Sequence, residues 1–311
     1  MKDVSLELMA EGSSSSTPFS TFRMTVTSSA KSGSAAAGYC IIALNPTMAD
    51  ALYFRGTGDF VASNCSAHAD SSDGSAVTVQ GNSTASATGF SAVGGYQVIG
   101  GGKFSPTPVA GAAKIGDPFS VSVSTPGGAC LSQTIKKQNG AVTLSPGKYC
   151  DIDIQTQGNV TMSAGTYYIS GSLAMGSRAV LAATSGVTLI FTGSTSVLSM
   201  NSGSSIKLYA PQTGQYAGFA VIQDPSVAAS VTHNVQGGAN TEIRGIWYTK
   251  TGKLYVTGGG GFNQTSGYFP MVVDNLEVGG NGQVNVGFDW STYGYPKPEP
   301  LYRKSAVVVT Q

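Results

Sequence analysis

The sequence predicts an all-β protein: a parallel β-helix of right-handed sense, with a small β subdomain formed by the two chain ends. Three observations lead there. The 311 residues include 42 Gly, with abundant Ser and Thr and few Lys, Glu or Leu, so weak helix formers dominate. Yet 41% of the chain is hydrophobic, with Val, Ile, Tyr and Phe in alternating runs, more than a chain unable to collapse would carry. Second, glycine-led segments recur: GDFVAS at 58, GNSTAS at 81, GNVTMS at 158, GSRAVL at 176, GSSIKL at 203 and GNGQVN at 280. With a further anchor at Gly260, their steps are 23, 18, 27 and 20 residues, and the 57 residues from Gly203 to Gly260 hold further turns. A drifting period near 20 marks a solenoid. Third, the strands are short and no helical pattern separates them. An antiparallel sandwich also has many short strands, but it needs tight turns at most junctions, and Asn-Gly occurs only at Asn139 and Asn281. The right-handed sense follows the rule for parallel crossovers.

Residues 1–30 hold two alternating runs, VSLELMA and FRMTVTSSA, on either side of a polar loop, and residues 31–38 are a small-residue linker. The β-helix spans residues 39–290 and opens with YCIIALNP, a buried strand stopped at Asn45-Pro46. Prolines 106, 108, 118 and 126 forbid continuous ladder pairing, so an excursion at about residues 105–140 divides the repeats into two blocks. In the second, more regular block, period-2 alternation puts Val160, Met162, Leu181, Ile206 and Leu208 inside the coil and turns Thr161 and Ser163 outward. Residues 291–311 form a tail in which Pro296, Pro298 and Pro300 favour an extended crossing. Its apolar end, AVVVT at 306, would make an aggregation-prone edge if free, and is expected to pair with FRMTVTS at 22.

Charged residues make up 11% and the net charge is +1, which offers no electrostatic footprint for nucleic acid or an anionic membrane. No apolar run reaches the roughly 18 residues of a membrane span. MKDVSLELMAEG, at the start, lacks a signal peptide's apolar core, so the expectation is that a leader or anchor preceded it. Cys40, Cys65, Cys130 and Cys150 show neither C-x-x-C nor the Cys-His spacing of a zinc site. Two disulfides in an oxidising compartment are favoured over four buried thiols. Of the three connectivities, Cys40–Cys65 with Cys130–Cys150 closes the shortest loops.

Candidate chemistry is thin, and no cofactor or metal is expected. Asp151 and Asp153 share a strand face and are the best carboxylate pair for glycoside cleavage, with a solvated outer face as the plainer account. Asp224, before Pro225, fits a turn cap. His68 and His233 stand alone. The acidic DSSD at 70 supplies fewer spaced oxygens than a dedicated calcium loop. Trp247, Tyr248, Tyr255, Phe262, Tyr268 and Phe269 concentrate late in the chain; they form either an exposed sugar- or protein-binding platform or a stack in the core.

Several segments together carry a resemblance: CIIALNP at 40, the repeated GNxxxS anchors, LSPGKYC at 144, YAGFAVIQD at 216 and MVVDNLEVGGNGQV at 271. They resemble the carboxy-terminal region of TadG-like proteins of the tight-adherence (Flp) pilus system, over roughly residues 39–290. The resemblance implies an extracytoplasmic protein of the periplasm or cell surface, tethered through an amino-terminal apolar anchor that this sequence lacks. Its partners would be pilus or cell-envelope proteins, or an extracellular glycan or protein. Some relatives carry a metal-dependent adhesion motif, Asp-x-Ser-x-Ser, which DSSDG at 70 does not match, so no metal site is carried over. The expected function is a non-enzymatic structural or adhesive component of such a system. The alternative is a carbohydrate-active enzyme or glycan-binding protein on a β-helix scaffold.

Overall fold

The computed structural model describes residues 38–227, 230–236, 241–257, 267–281 and 284–302. The amino-terminal strands, the linker up to residue 37 and the terminal strand of the tail lie outside the described residues. So does the pairing expected between AVVVT and FRMTVTS.

The described chain is a parallel β-solenoid of about ten turns. Strands of three to five residues predominate, and in the second block each turn contributes up to three of them, one to each of three parallel ladders. Alternation then does what period 2 demands: in Asn159–Met162, Val160 and Met162 are fully buried while Asn159 and Thr161 are exposed. The ladders keep like residues in register, so Val160 sits between Val142 and Leu181, and Leu181 in turn beside Ile206. All five predicted interior positions, Val160, Met162, Leu181, Ile206 and Leu208, are 1% exposed or less. Every pairing between these strands is parallel, and the described helical elements are two short 3-10 turns, Lys137–Asn139 and Glu299–Leu301. Corners are turned by glycine where φ is positive. Gly280, Gly56, Gly81 and Gly100 have φ of +93°, +104°, +86° and +70°, and a Cβ at Gly81 would lie 2.5 Å from the Gly56 carbonyl oxygen.

The order of turns in space differs from the order in sequence. The stack starts at Leu131–Ile135, climbs through Gly147–Ile154, Gly165–Ile169, Val187–Phe191, Phe219–Gln223 and Ile246–Thr257 to Met271–Val278. There Tyr39–Ala43 and Leu52–Gly56 take over, with Ile41 opposite Met271 and Leu52 opposite Leu276. Asp59–Ala69, Thr84–Ala92 and the exposed end strand Tyr96–Gly100 complete it. Both stack ends are thus internal to the chain. Gly38 packs against the Phe288 ring, as does Tyr302 with centroids 5.2 Å apart, so the described chain enters and leaves at the middle of the stack. A parallel ladder requires only an unpaired edge of the right register, and the edge of Met271–Val278 is filled by the chain's own beginning.

This inversion obliges the proline-rich excursion to run back along the whole stack. Residues 110–130 do so as a strap over one face. Val109 bridges Ser91; the Ile115 and Gly116 amides each donate to Asp70 at 2.8 Å; Tyr248 donates to Asp117 at 2.8 Å. Lower down, Phe119 meets Phe219 and Tyr248 edge-on at 5.3 and 5.9 Å, and Lys148 donates to the Gly128 carbonyl at 2.9 Å. The strap ends at the Cys130–Cys150 disulfide, which ties it to the first full turn. The second disulfide, Cys40–Cys65, joins adjacent turns inside the coil, both sulfurs belonging to residues 1% exposed or less. All four cysteines are therefore paired, in the sequential connectivity, and two disulfides suit an oxidising, extracytoplasmic environment. No described helix is long and apolar enough to cross a membrane.

Candidate functional site

A groove of about 770 Å³ runs along one corner of the solenoid. Three successive turns present their corner loops there: residues 164–166, 184–186 and 210–216. The first two corners are tight, made by Gly165 and Gly186 at φ +136° and +90°. The third carries an insertion that closes on itself through Gly218 N–H to Pro211 O at 2.7 Å, and this loop builds one wall. The opposite wall comes from the tail, where a turn closed by Tyr295 N–H to Trp290 O at 3.0 Å carries Tyr293 into the groove. Gln212 Nε2 latches loop to tail by donating to Tyr293 O at 2.7 Å.

The end of the groove is electrostatically closed. Arg244 lies between the Tyr209 and Tyr293 rings, at 4.3 and 4.7 Å from their centroids. Its Nε donates to Glu242 Oε1 at 2.6 Å, and Tyr209 donates to Glu242 Oε2 at 2.9 Å. Burial would lower the Arg244 pKa, but the Glu242 hydrogen bond and charge outweigh it and hold the guanidinium charged. Burial, then Glu242, pushes the Tyr209 phenol up. Burial followed by neighbouring Tyr216 does the same to half-buried Tyr168. The groove is thus walled by phenols, hydroxyls and amides, and the one charged group of its lining, Arg244, is paired with Glu242.

A second polar cluster lies under the strap. His68 and Ser91 occupy paired outward positions on Asp59–Ala69 and Thr84–Ala92; His68 Nδ1 is 2.8 Å from Ser91 Oγ, and Nε2 is 3.1 Å from Asp70 Oδ1. Burial would raise the Asp70 pKa, but hydrogen bonds from His68, Ile115 and Gly116 overcome it and lower it. These are the residue types of an acyl-transfer triad. Here, however, the His68 and Asp70 side chains are fully covered, and both Asp70 oxygens are occupied, so the cluster clamps the strap to the coil. The sequence alone leaves His68 solitary and sets Asp70 in an acidic loop with too few spaced oxygens for calcium. The signal that would have joined them is the spacing His-x-Asp, which puts both on one strand face.

Trp247, Tyr248, Tyr268 and Phe269 are fully buried, so the platform reading is corrected for these four. Trp247 points into the coil, where Phe269 meets it edge-on at 6.4 Å, and Tyr248 points outward but lies under Asp117 and Phe119 of the strap. Tyr255 is half-buried on the outer face near Arg55 and Lys253, away from the groove, and Phe262 lies outside the described residues. Asp151 and Asp153 face outward as expected, Asp151 accepting from the Ser172 amide at 2.8 Å and Asp153 from Gln155 at 3.3 Å. Asp224 caps its turn, accepting from the Ser226 amide and hydroxyl at 2.9 and 2.7 Å. His233 points into the coil. Among the described residues no group of three or more His, Cys, Asp or Glu is placed to hold a metal. The tyrosines that do form an accessible surface, Tyr168, Tyr209 and Tyr293, were not singled out, because they meet only through a loop insertion and a tail crossing.

Fold and groove together define a disulfide-linked parallel β-solenoid with a strapped face and a tyrosine-walled corner. No family model matches the chain, and no curated protein or solved structure is detectably similar to it.

Proposed function

We propose that this protein is a non-enzymatic, extracytoplasmic structural or adhesive component of a bacterial surface-attachment system of the Tad/Flp pilus type. The observation that carries the adhesive part is the groove: a preformed concavity whose one charged lining residue, Arg244, is already engaged by Glu242, leaving recognition surface in place of an acid–base pair. The two disulfides agree with residence outside the cytoplasm. The pilus assignment is supported by the sequence resemblance alone, and envelope or pilus proteins are its proposed partners. Purified protein applied to arrayed glycans and host-matrix proteins, beside a reducing-sugar release assay, tests the reading. Retention without sugar release is expected; sugar release on any bound glycan overturns it.

A second reading, a carbohydrate-active enzyme such as a sugar esterase, has one observation in its favour, the contact of Ser91, His68 and Asp70. Release of acetate from acetylated glycans, abolished by Ser91→Ala, would put it first.

A further inference from the structure

We propose that the corner groove binds a neutral oligosaccharide, an inference that rests on the adhesive reading and names the ligand class. Charge is the first argument. Arg244 and Glu242 satisfy each other, so an anionic group would compete with a carboxylate already bonded to the guanidinium and a cationic group would meet that guanidinium. The ligand that loses least on entering is uncharged. Shape and chemistry are the second. The half-buried rings of Tyr168, Tyr209 and Tyr293 share the lining with the hydroxyls of Thr184 and Ser185 and the amide of Gln215. Pyranose rings present the matching surface, an apolar C–H face bordered by hydroxyls that both donate and accept. A volume of about 770 Å³ has room for several such rings.

A peptide fits less well. An extended strand needs free backbone groups to pair with, and two of the corner amides are already committed: Gly165 N–H to Gly186 O at 2.9 Å and Ala210 N–H to Arg244 O at 2.8 Å. The walls are fixed by ladder bonds and the Gln212 latch, so little ordering is required on binding.

The test uses the full chain with disulfides intact. Hexasaccharides of β-1,4-glucose, β-1,3-glucose, mannose and N-acetylglucosamine, with oligogalacturonate as the acidic probe, are titrated by calorimetry and saturation-transfer NMR. At least one neutral hexamer should bind. Ser185→Trp, which fills the groove from an exposed position, should weaken binding at least about tenfold with melting unchanged, and Tyr168→Ala at least about fivefold through the lost ring face. The proposal is overturned if no neutral hexamer binds, if oligogalacturonate binds as well as the best neutral one, or if neither variant alters affinity. Fractionation of cells expressing wild type and Ser185→Trp separates the two readings. Sugar binding by a protein absent from the cell surface sinks the adhesive function alone. A surface protein that binds no neutral hexamer sinks this inference alone.

Discussion

The protein's two histidines are both fully buried, one inside the coil and one outside it, and the contrast shows what each environment permits. His233 points inward from Thr232–Gln236, between Phe191 and Trp247 at 5.0 and 5.6 Å. Its Nδ1 accepts from the Leu198 amide at 3.1 Å, while Nε2 has no partner among the described residues. Burial alone pushes its pKa down to about 3, so it is held neutral. His68 faces outward, and its environment was supplied by the strap, which brings two free amides to Asp70 and so lets a carboxylate stay charged beneath it. The coil interior, whose backbone groups are consumed by the ladders, accommodates only neutral polar groups. The strap, barred by its prolines from regular pairing, has amides to spare.

The largest effect expected from that contrast is at Asp70. Asp70→Ala leaves His68 and the Ile115 and Gly116 amides without their acceptor, and breaking a buried charged network from one side costs about 3–5 kcal/mol. Urea denaturation should register the loss, with faster proteolysis between residues 110 and 120. A cost under about 1 kcal/mol would mean the clamp contributes no more than a surface contact.

The two disulfides carry the next largest effect. Replacing Cys130 and Cys150 together by Ser should cost about 3 kcal/mol by loop-closure reasoning, and so should replacing Cys40 and Cys65. Only the first pair anchors the strap, so only its loss should expose residues 110–130 to protease below the melting temperature. Equal protease sensitivity in both variants would show the strap held by Asp70 and Asp117 without help from the disulfide.

What the sequence disclosed divides along the same line. The interior column of Val160, Leu181 and Ile206 was legible because period-2 alternation and glycine spacing are local signals. The cysteine pairing was legible from loop length. The stacking of Ile41 on Met271 was not, since a parallel ladder leaves no mark in either strand of which edge it will meet. Everything that depends on that inversion was hidden with it: the strap's course, the burial of Tyr248 and His68 beneath it, and the emergence of both described chain ends beside Phe288. The groove was illegible for a related reason. Tyr168, Tyr209 and Tyr293 are unremarkable outward positions until the insertion after Pro211 and the tail close around them.

His233 gives a pH-dependent prediction of intermediate size. Its folded pKa, about 3, lies below the ordinary histidine value of 6.5, so between these values the unfolded chain binds a proton that the native state refuses. Its stabilisation is complete above the unfolded pKa and is lost as pH falls, by about 2 kcal/mol between pH 7 and pH 5. Carboxylates with lowered pKa, such as Asp70 and Glu277, act mainly below that window. His233→Leu should therefore flatten the dependence of the urea midpoint on pH over this range, whatever it does to stability at pH 7. An unchanged slope would show that the imidazole is not sealed from water.

The smallest effects test whether the strap is held by buried hydrogen bonds or by surface charge. Asp117 accepts from Tyr248 at 2.8 Å and lies 3.7 Å from Lys250 Nζ. The two contacts look alike on paper but differ in solvent. The Tyr248 residue is fully buried, and burial, then Asp117, pushes its pKa up, so it remains a donor throughout the accessible pH range. The Lys250 and Asp117 side chains are 32% and 28% exposed, and such a pair is screened by salt and costs side-chain entropy to hold. Tyr248→Phe keeps the ring against Phe119 and removes only the donor, so it should cost about 1 kcal/mol, independent of salt. Lys250→Ala should cost less than about 0.5 kcal/mol, and that residue should vanish in about 0.5 M salt. If Lys250→Ala proved the costlier change, Asp117 would be held chiefly by charge, and the strap would loosen with ionic strength from its middle outward while the Asp70 clamp and the Cys130 anchor stayed closed.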